Sequence, residues 1–361
     1  MMVHRHILRS VCAFFFCFSI HLVNSQDIHF TLHHMTPLAF NPANTGSFYG
    51  SFRLSGLYRD QYRSVAGNGA FSTPTFSVDA PVIKGFKEKD WVGVGLFFYS
   101  DRSGTIGLTQ QTFKVSAAYH LALNKNGTRV FSFAYQTGPV QRFVKNRDGA
   151  IFEDELIANS GANTSADYGL LMDKDKKGYL DHVGGLKFSS KYNKTDEFSF
   201  GLAAARFGTP DWSILGPSMD TTVGVSGTYE VDPRVYAHAG MSTLMSDKVR
   251  FLPSITYQKI LNSAANTLVV QGHIDYLYNE AKQTVLKAGI GYRSGQGIGD
   301  AIQLMAGAEI KGINFMLGYD INVSRLSVAS NASGGFELSA QYIGKVFKRP
   351  NPDPIIFCPR F

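Results

Sequence analysis

The stretch NFMLGYDINVS, residues 314–324, carries an apolar side chain at every second position. The odd-numbered side chains from Phe315 to Val323 are all apolar, whereas the even-numbered ones include Asn314, Asp320 and Asn322. Successive side chains of a β-strand point to opposite faces, so this pattern predicts a strand with one apolar and one polar face. The same period of two recurs in residues 112–121, 268–277 and 335–342.

Two folds are compatible with this alternation, a soluble β-sandwich and a transmembrane β-barrel. The alternating segments are about 10–12 residues long, as a tilted strand needs to cross a bilayer, whereas sandwich strands are usually shorter. Their polar faces carry full charges in mid-strand, at Lys114, Asp275, Lys287 and Asp320. We count about 15 such segments, and a bacterial barrel has an even number of strands. The predicted fold class is all-β, a transmembrane antiparallel β-barrel of about 14 strands.

Residues 1–25 have the three parts of a secretory signal peptide. Arg5 and Arg9 come first, an apolar run follows, and small residues precede an expected cleavage between Ser25 and Gln26. After residue 25, no apolar run reaches the 18 or so residues of a transmembrane helix. The chain has 36 Gly, 17 Tyr and 28 Phe, which is typical of outer-membrane barrels with aromatic rims. The sequence therefore predicts export to the outer membrane.

Four segments are predicted along the chain. They are the signal peptide (1–25), an N-terminal periplasmic or lumen segment (26–48), the outer-membrane barrel (49–347) and a Pro-rich C-terminal tail (348–361). Within the barrel, the longest irregular stretch is 138–181, which is rich in Asp, Glu, Lys, Asn and Gly. Long loops of such barrels gather on the outer side, so we predict an external loop or a lumen plug there.

Charge and cysteine content argue against a nucleic-acid partner and against an internal disulfide. The formal net charge is +7, but no run of Lys and Arg indicates a nucleic-acid partner. Cys12 and Cys17 lie in the signal peptide, which leaves only Cys358. A chain cleaved after Ser25 therefore has no internal disulfide.

The sequence contains no convincing catalytic or cofactor motif. A G-x-S-x-G nucleophile elbow is absent. Residues 173–178 begin like an EF-hand loop, but Lys177 replaces a calcium ligand. His29, His33 and His34 cluster without a second ligand pair at zinc spacing. The glycines of residues 289–297 have no helix after them to receive a phosphate. We predict that the protein is not an enzyme and uses no metal and no cofactor.

In the alternating run that starts at Ser51, several arginines occupy odd-numbered positions and therefore lie on one face of the predicted strand. If Phe52 and Leu54 face lipid, the other side chains of this run point into the barrel. The first and last strands of a closed barrel are neighbours, so the same parity brings polar side chains of the last two strands to this place. The predicted inward polar seam consists of Arg53, Arg59, Gln61, Arg63, Asp320, Glu337 and Gln341, with Asn322 and Ser339 on the same parity.

Within this seam we expect Arg59 to pair with Glu337 or with Asp320. Removing one partner of such a pair in a partly dry lumen costs about 3–5 kcal/mol. In a wet lumen the cost falls towards about 1 kcal/mol. The alternative is that these residues line a solvated channel without pairing.

A set of short motifs runs through the chain. The first are Phe40-Asn41-Pro42-Ala43-Asn44-Thr45-Gly46 and Leu57-Tyr58-Arg59-Asp60-Gln61-Tyr62, the last is Cys358-Pro359-Arg360-Phe361, and between them lie residues 72–81, 92–96, 289–293 and 335–338. Together they resemble the PorP/SprF family of type IX secretion and gliding-associated outer-membrane proteins of the Bacteroidota. The signature residues are Asn41, Pro42, Ala43, Gly46, Tyr58, Arg59, Gln61, Cys358, Pro359, Arg360 and Phe361.

The chain departs from this family at two positions. Tyr62 stands where the family often has Trp, and Phe336 stands before Glu337 where the family often has His. The first change keeps an aromatic side chain. The second leaves open any role that needs the histidine.

The resemblance implies an outer-membrane barrel that works with the type IX secretion and gliding machinery. Such a barrel is expected to act as a docking or anchoring partner for a secreted cargo adhesin with a type IX C-terminal domain. Periplasmic or outer-membrane components of the machinery and the lipid bilayer are the other expected partners. Two alternatives remain, an outer-membrane channel or transporter for small or hydrophobic solutes, and an exported soluble β-sandwich that binds a ligand.

Overall fold

The computed structural model describes the barrel wall and the segment that fills it. The described residues are 29–84, 86–146, 176–193, 195–208, 231–263, 265–296, 301–324 and 327–346. The predicted signal peptide with its cleavage site at Ser25, the middle of the predicted loop 138–181, and the tail with Cys358, Pro359, Arg360 and Phe361 lie outside the described residues. In the described ranges, no helix is long and apolar enough to cross a membrane.

Fourteen antiparallel strands close into one barrel, in which each strand pairs with its neighbours in sequence and the first pairs with the last. The strands are β1 (Phe52–Gln61), β2 (Phe71–Lys84), β3 (Trp91–Ser103), β4 (Leu108–Ala122), β5 (Arg129–Val144), β6 (Lys176–Lys191), β7 (Glu197–Ala205), β8 (Arg234–Ser246), β9 (Val249–Ile260), β10 (Asn266–Asn279), β11 (Thr284–Gln296), β12 (Ala301–Ile310), β13 (Ile313–Asn322) and β14 (Ser333–Gly344). The predicted all-β antiparallel barrel is confirmed, and the count of about 15 segments was one too high.

The barrel exposes its apolar face and buries its polar face. On β13, Phe315, Leu317 and Tyr319 point outward and are 43–47% exposed. Met316 and Asp320, on the other parity of the same strand, point inward and are buried. In water each Å² of such apolar surface would cost about 25 cal/mol, and a soluble β-sandwich would bury it. The inverted faces therefore fit a barrel that lies in a bilayer.

The lengths of the strand connections orient the barrel. β1 begins and β14 ends at the same end of the barrel. The strand connections at this end are all short: 85–90, 123–128, 192–196, 247–248, 280–283 and 311–312. The strands on either side of the long connections, 145–175 and 206–233, end at the opposite end. Outer-membrane barrels have short periplasmic turns and longer extracellular loops. We infer that the end with the short connections is periplasmic.

The predicted irregular stretch 138–181 is shorter than expected. β5 continues to Val144 and β6 begins at Lys176, so both ends of the stretch belong to paired strands. Their polar composition has a physical cause, because side chains such as Asp181 face the lumen rather than lipid. Residues 147–175 lie outside the described part of the chain.

Short helical pieces complete the described structure. Two four-residue helices, α1 (Arg63–Ala66) and α2 (Ser327–Ser330), lie between strands at the extracellular end, together with a 3-10 turn at Gly67–Gly69. Three further 3-10 turns, His33–Met35, Pro37–Ala39 and Pro42–Asn44, come before β1. These three turns belong to the segment inside the barrel.

Candidate functional site

Residues 29–48, which we call the plug, fill the lumen of the barrel and are nearly all buried. Pro37 and Pro42 occupy the first positions of two of its 3-10 turns. A proline is tolerated there because the N–H group that it lacks would have no partner in the turn. Asn41 caps the second of these turns, with its Oδ1 accepting a hydrogen bond from the N–H of Ala43 at 2.9 Å.

Apolar side chains of the plug pack against a few apolar side chains of the wall. Phe30, Leu32, Met35 and Phe40 form one cluster with Leu57, Ala203, Tyr236, Met305 and Met316 of the wall. Leu38 forms a second cluster with Phe97 and Tyr99 of β3. The rings of Phe40 and Tyr236 stack with their centroids 5.0 Å apart. The lumen therefore has a small apolar core of its own, although most of its wall is polar.

A buried ion network lies at the upper, extracellular half of the lumen. Arg59 of β1 pairs with Glu337 of β14 and, at 2.9 Å, with Asp320 of β13. Arg293 of β11 also pairs with Asp320, at 2.8 Å. All four side chains are 4% exposed or less. Charges this deeply buried are stable only when they are paired and hydrogen-bonded, so the network depends on every member.

The same carboxylates hold the start of the plug. Glu337 accepts hydrogen bonds from the backbone N–H groups of Thr31, at 2.8 Å, and Leu32, at 2.7 Å. The hydroxyl of Thr31 donates to Asp320. Each carboxylate thus binds an arginine of the wall and a group of the plug at once. The same two carboxylates therefore take part both in closing the barrel and in holding the plug.

A second ion pair holds the plug near the periplasmic end. Arg53 of β1 pairs with Asp79 of β2 at 2.7 Å, and both side chains are buried. The guanidinium also donates to the carbonyl oxygen of Asn44 at 3.0 Å. Asp79 accepts a hydrogen bond from the N–H of Gly46 at 2.7 Å. The plug therefore runs from the ion network of Arg59 down to this pair, where it joins β1.

Asn41 lies in a slot formed by two glycines of the wall. Its amide donates to the carbonyl oxygens of Leu186, at 3.0 Å, and Leu202, at 3.3 Å. A Cβ atom on Gly185 would lie 2.3 Å from Oδ1 of Asn41, and one on Gly201 would lie 2.7 Å from its Nδ2. A larger residue at either position would therefore crowd the side chain of Asn41, and at position 201 also that of His238.

A similar close approach joins Gly46 to the wall. Gly46 has φ +68°, in the region that favours glycine. A Cβ atom there would lie 2.6 Å from the Cα of Gly93, and a Cβ on Gly93 would lie 2.2 Å from the carbonyl oxygen of Thr45. Trp91 donates its ring N–H to the carbonyl oxygen of Gly46 at 2.9 Å. The plug backbone therefore lies directly against that of β3.

The structure places most of the predicted seam residues on the inner face of the barrel wall, although they do not form one cluster. Arg53, Arg59, Gln61, Asp320 and Glu337 face the lumen and are buried. Gln341 also faces the lumen, and it donates to the carbonyl oxygen of Met35 at 3.3 Å. Gln61 accepts hydrogen bonds from Arg59 at 3.2 and 3.1 Å. Asn322 and Ser339 lie on the same inward parity and are buried.

The prediction was wrong for Arg63. β1 ends at Gln61, and Tyr62 has φ 62°, so the chain leaves the strand before Arg63 is reached. Arg63 begins helix α1, where its side chain is 56% exposed and pairs with Asp60 at 2.5 Å. The alternation of side chains applies only within the strand. Beyond Gln61, parity no longer determines the direction of a side chain.

The signature residues fall into two places. Asn41, Pro42, Ala43 and Gly46 belong to the plug, and Arg59 and Gln61 belong to the wall that binds it. Tyr58 instead faces outward and donates to Asp60 at 3.2 Å. Phe336, which departs from the family pattern, is also outward and 43% exposed. A histidine at position 336 would therefore face away from the ion network that contains Glu337.

The sequence did not mark several wall residues as contacts of the plug. They include Asp79, Trp91, His120, Gln136 and Gln271. Their inward parity was readable from the alternation, but nothing in it distinguishes a plug contact from any other inward polar residue. Two of the clustered histidines of the N-terminal segment, His33 and His34, are buried. His34 lies 3.1 Å from His273 of β10, nitrogen to nitrogen. Within the described ranges, no group of three or more His, Cys, Asp or Glu could hold a metal ion.

A closed antiparallel barrel with an apolar outer face and a polar, filled lumen defines an outer-membrane β-barrel protein. Its sequence matches the family described as "Type IX secretion system membrane protein PorP/SprF" over residues 22–342. The chain therefore belongs to the PorP/SprF family, as its motifs predicted. The family and the fold are those of secretion or channel proteins rather than enzymes. No curated protein matches the sequence.

Solved structures with a similar fold are outer-membrane barrels. The CymD monoaromatic hydrocarbon channel superposes with a TM-score of 0.51 at 14% identity, covering 87% of this chain and 93% of that chain. The toluene transporter TbuX of Ralstonia pickettii gives a TM-score of 0.46 at 12% identity, covering 86% and 92%. A FadL homologue of Pseudomonas aeruginosa gives 0.47 at 11% identity, covering 85% and 93%. At these identities the likeness extends to the fold alone.

Proposed function

We propose that this protein is a docking or anchoring barrel of the type IX secretion and gliding machinery. In this role it holds a secreted cargo adhesin, through the cargo's type IX C-terminal domain, at the outer membrane. Periplasmic or outer-membrane components of the machinery are its other partners. Export through a signal peptide cleaved near Ser25 and Gln26 belongs to the same proposal.

The observation that carries this proposal is the filled lumen. A solute channel needs a continuous path, whereas here the plug lies across the lumen and contacts the wall on both sides. An obstructed barrel in a secretion family is better suited to holding another protein than to conducting solutes. The fold that this chain has in common with hydrocarbon channels does not by itself support transport.

The seam residues take a structural part in this proposal. Arg53, Arg59, Gln61, Asp320, Glu337 and Gln341 hold the plug in place and join the first strands of the barrel to the last. Arg63 is not part of it, because it lies outside the lumen. The seam thus keeps the barrel closed while a partner is held.

The test is affinity purification of the tagged protein from detergent-solubilised outer membranes, with mass spectrometry of the proteins retained. We expect a large surface protein with a type IX C-terminal domain or a component of the type IX machinery. The control is an unrelated tagged barrel from the same membranes, which should retain neither. A barrel that is recovered without such partners would contradict docking, and ion conductance in planar bilayers would then test the channel alternative.

A further inference from the structure

Side chains of the lumen wall bind backbone peptide groups along the whole length of the plug. Besides the N–H groups held by Glu337 and Asp79, wall side chains from six strands reach plug carbonyl oxygens. The contacts are Gln271 to Thr31 (2.8 Å), Gln341 to Met35 (3.3 Å), Gln136 to Leu38 (3.4 Å), Arg53 to Asn44 (3.0 Å), His120 to Thr45 (2.8 Å) and Trp91 to Gly46 (2.9 Å). Every polypeptide has such groups, so these contacts do not depend on the plug's side chains.

The plug is bound to the wall without being part of the sheet. The fourteen strands pair only with one another. The plug, which lies in the lumen that they enclose, forms short 3-10 turns. Its covalent connection to the wall runs through residues 49–51, where Tyr49 is 36% exposed. Among the described residues, the plug therefore has the contacts of a peptide ligand, held by side chains of a receptor.

The wall has more inward hydrogen-bonding groups than the plug uses. Buried side-chain oxygens of several inward-facing residues make no hydrogen bond within the described part of the chain. They are those of Thr75, Ser77, Thr112, Ser199, Ser254 and Asn314. These groups lie on strands distributed around the barrel, from β2 to β13. The wall therefore offers hydrogen-bonding groups that a segment with a different sequence from the plug could use.

At two positions of the plug, the wall nevertheless restricts which residue can be accommodated. The slot between Gly185 and Gly201 admits Asn41 and supplies carbonyl acceptors for its amide. The contact with Gly93 admits only a glycine at position 46. An asparagine followed five residues later by a glycine is thus the side-chain requirement that this lumen imposes most strictly.

We propose that the lumen is a receptor for a polypeptide segment with the pattern Asn-x-x-x-x-Gly, and that the plug is its resident occupant. A segment of a second polypeptide with this pattern takes the same place when the plug withdraws. This inference rests on the proposed docking function, for which it names the site and the chemistry of the partner segment. The plug is in this respect an intramolecular competitor of the partner.

The receptor can be tested with the plug's own peptide and without any partner. A protease site inserted between Tyr49 and Gly50 of the full chain allows the plug to be cut free after the barrel has folded. The cut protein is then titrated with urea in detergent until the plug is washed out, and barrel integrity is followed by heat-modifiable migration on gels. A fluorescent peptide of residues 29–48 is added after the urea is removed, and its anisotropy reports binding.

We expect the barrel to stay closed without the plug and to bind the labelled peptide. An Asn41→Ala or Gly46→Ala peptide should bind about tenfold more weakly or worse, because hydrogen bonds to the wall are lost or the backbone is displaced. The matched control is a Thr36→Val peptide, since the buried Thr36 hydroxyl has no hydrogen-bond partner in the described residues. It should bind as well as the native peptide.

Three results would contradict the proposal that the lumen is a receptor. The plug could stay bound until the barrel itself unfolds, the emptied barrel could fail to bind the peptide, or the Asn41→Ala and Gly46→Ala peptides could bind like the native one. The first would make the plug an integral part of the fold. The other two would show that the lumen has no site for this pattern.

Exchange with a partner is tested by locking the plug. The hydroxyl groups of Thr45 and Ser116 lie 2.9 Å apart, so the pair Thr45→Cys and Ser116→Cys offers a disulfide between plug and β4. If a partner segment enters the lumen, the oxidised lock should abolish recovery of the cargo in affinity purification, and reduction should restore it. Cargo recovery unaffected by the lock would overturn the exchange and leave docking intact, whereas no cargo with the native protein would overturn docking itself.

Discussion

Arg59 and Glu337 stand directly opposite each other on β1 and β14 and form a buried ion pair across the line where the barrel closes. Asp320 of β13 binds the same guanidinium at 2.9 Å. One arginine therefore joins the first strand of the barrel to the last two. Because Glu337 also binds two N–H groups of the plug, closure of the wall and filling of the lumen depend on the same side chain.

Replacing Arg59 with Met should destabilise the barrel strongly. The substitution keeps an apolar stem but leaves Glu337 without its cation, whereas Asp320 retains Arg293 at 2.8 Å. We expect the free energy of unfolding to fall by about 3–5 kcal/mol, because a buried carboxylate is left uncompensated. Urea unfolding in detergent micelles, followed by tryptophan fluorescence, measures this change.

Two variants serve as controls for Arg59→Met. Arg63→Met removes an exposed arginine only four residues away in sequence, and it should unfold like the native protein. Adding Glu337→Gln to Arg59→Met removes the stranded charge and should recover part of the loss. Equal effects of Arg59→Met and Arg63→Met would show that the buried pair does not stabilise closure.

The close contact between β3 and the plug predicts a steric effect at Gly93. In Gly93→Ala the new methyl group would lie 2.2 Å from the carbonyl oxygen of Thr45, which is backbone and cannot rotate away. Overpacking of this kind costs about 1–3 kcal/mol, and we expect the periplasmic end of the plug to be displaced. Limited proteolysis of the solubilised barrel should cut the variant within residues 29–51 faster than the native protein.

Gly56→Ala is the matched control for this prediction, since a Cβ atom at Gly56 meets nothing within 4 Å. It makes the same chemical change in a strand of the same barrel, and its proteolysis should follow that of the native protein. If Gly93→Ala is cut no faster than Gly56→Ala, the plug does not lie against β3 as the structure has it.

The periplasmic turn between β6 and β7 should be sensitive to acid. Hydrogen bonds from Asn193 and from the N–H of Leu244 lower the pKa of Asp196 from 3.8 to about 2. The unfolded chain therefore binds this proton more readily, so the contribution of Asp196 to stability is complete above pH 3.8 and disappears as the pH falls through about 2. Asp196→Asn should unfold at lower urea concentration than the native protein at pH 6, and at nearly the same concentration at pH 1, where the carboxyl group is mostly protonated in the folded protein as well. A difference that persists undiminished at pH 1 would contradict a role of the charge.

The fold could be predicted from the sequence because lipid and lumen impose opposite demands on successive side chains. The alternation at residues 314–324 follows from that demand, and the same parity placed Arg59 and Glu337 on the inner face. Parity failed at Arg63, because Tyr62 turns the chain out of the strand. Alternation determines the direction of a side chain within a strand, but it does not indicate where the strand ends.

The site was harder to predict than the wall. Residues 26–48 were expected in the periplasm or in the lumen, and their short 3-10 turns have no periodicity that decides between the two. The match between Asn41 and its slot depends on Gly185 and Gly201, which are far from it in sequence. Spatial complementarity of this kind has no signal in a single sequence, although the signature residues marked both Asn41 and Gly46.

Removal of the plug should convert an obstructed barrel into a conducting one. The plug crosses the lumen between the ion network of Arg59 and the pair of Arg53 with Asp79, and its apolar side chains pack against the wall between them. Without residues 29–48, a barrel of this strand number encloses a polar passage that water and ions can enter. In planar lipid bilayers we therefore expect little conductance from the native protein and clear ion conductance from the protein whose plug has been cut and washed out. The Thr45→Cys and Ser116→Cys pair, oxidised before cutting, is the control and should keep the cut barrel closed. Equal conductance of the native and emptied barrels would mean that the plug does not obstruct the lumen, and the observation that supports docking over transport would be lost.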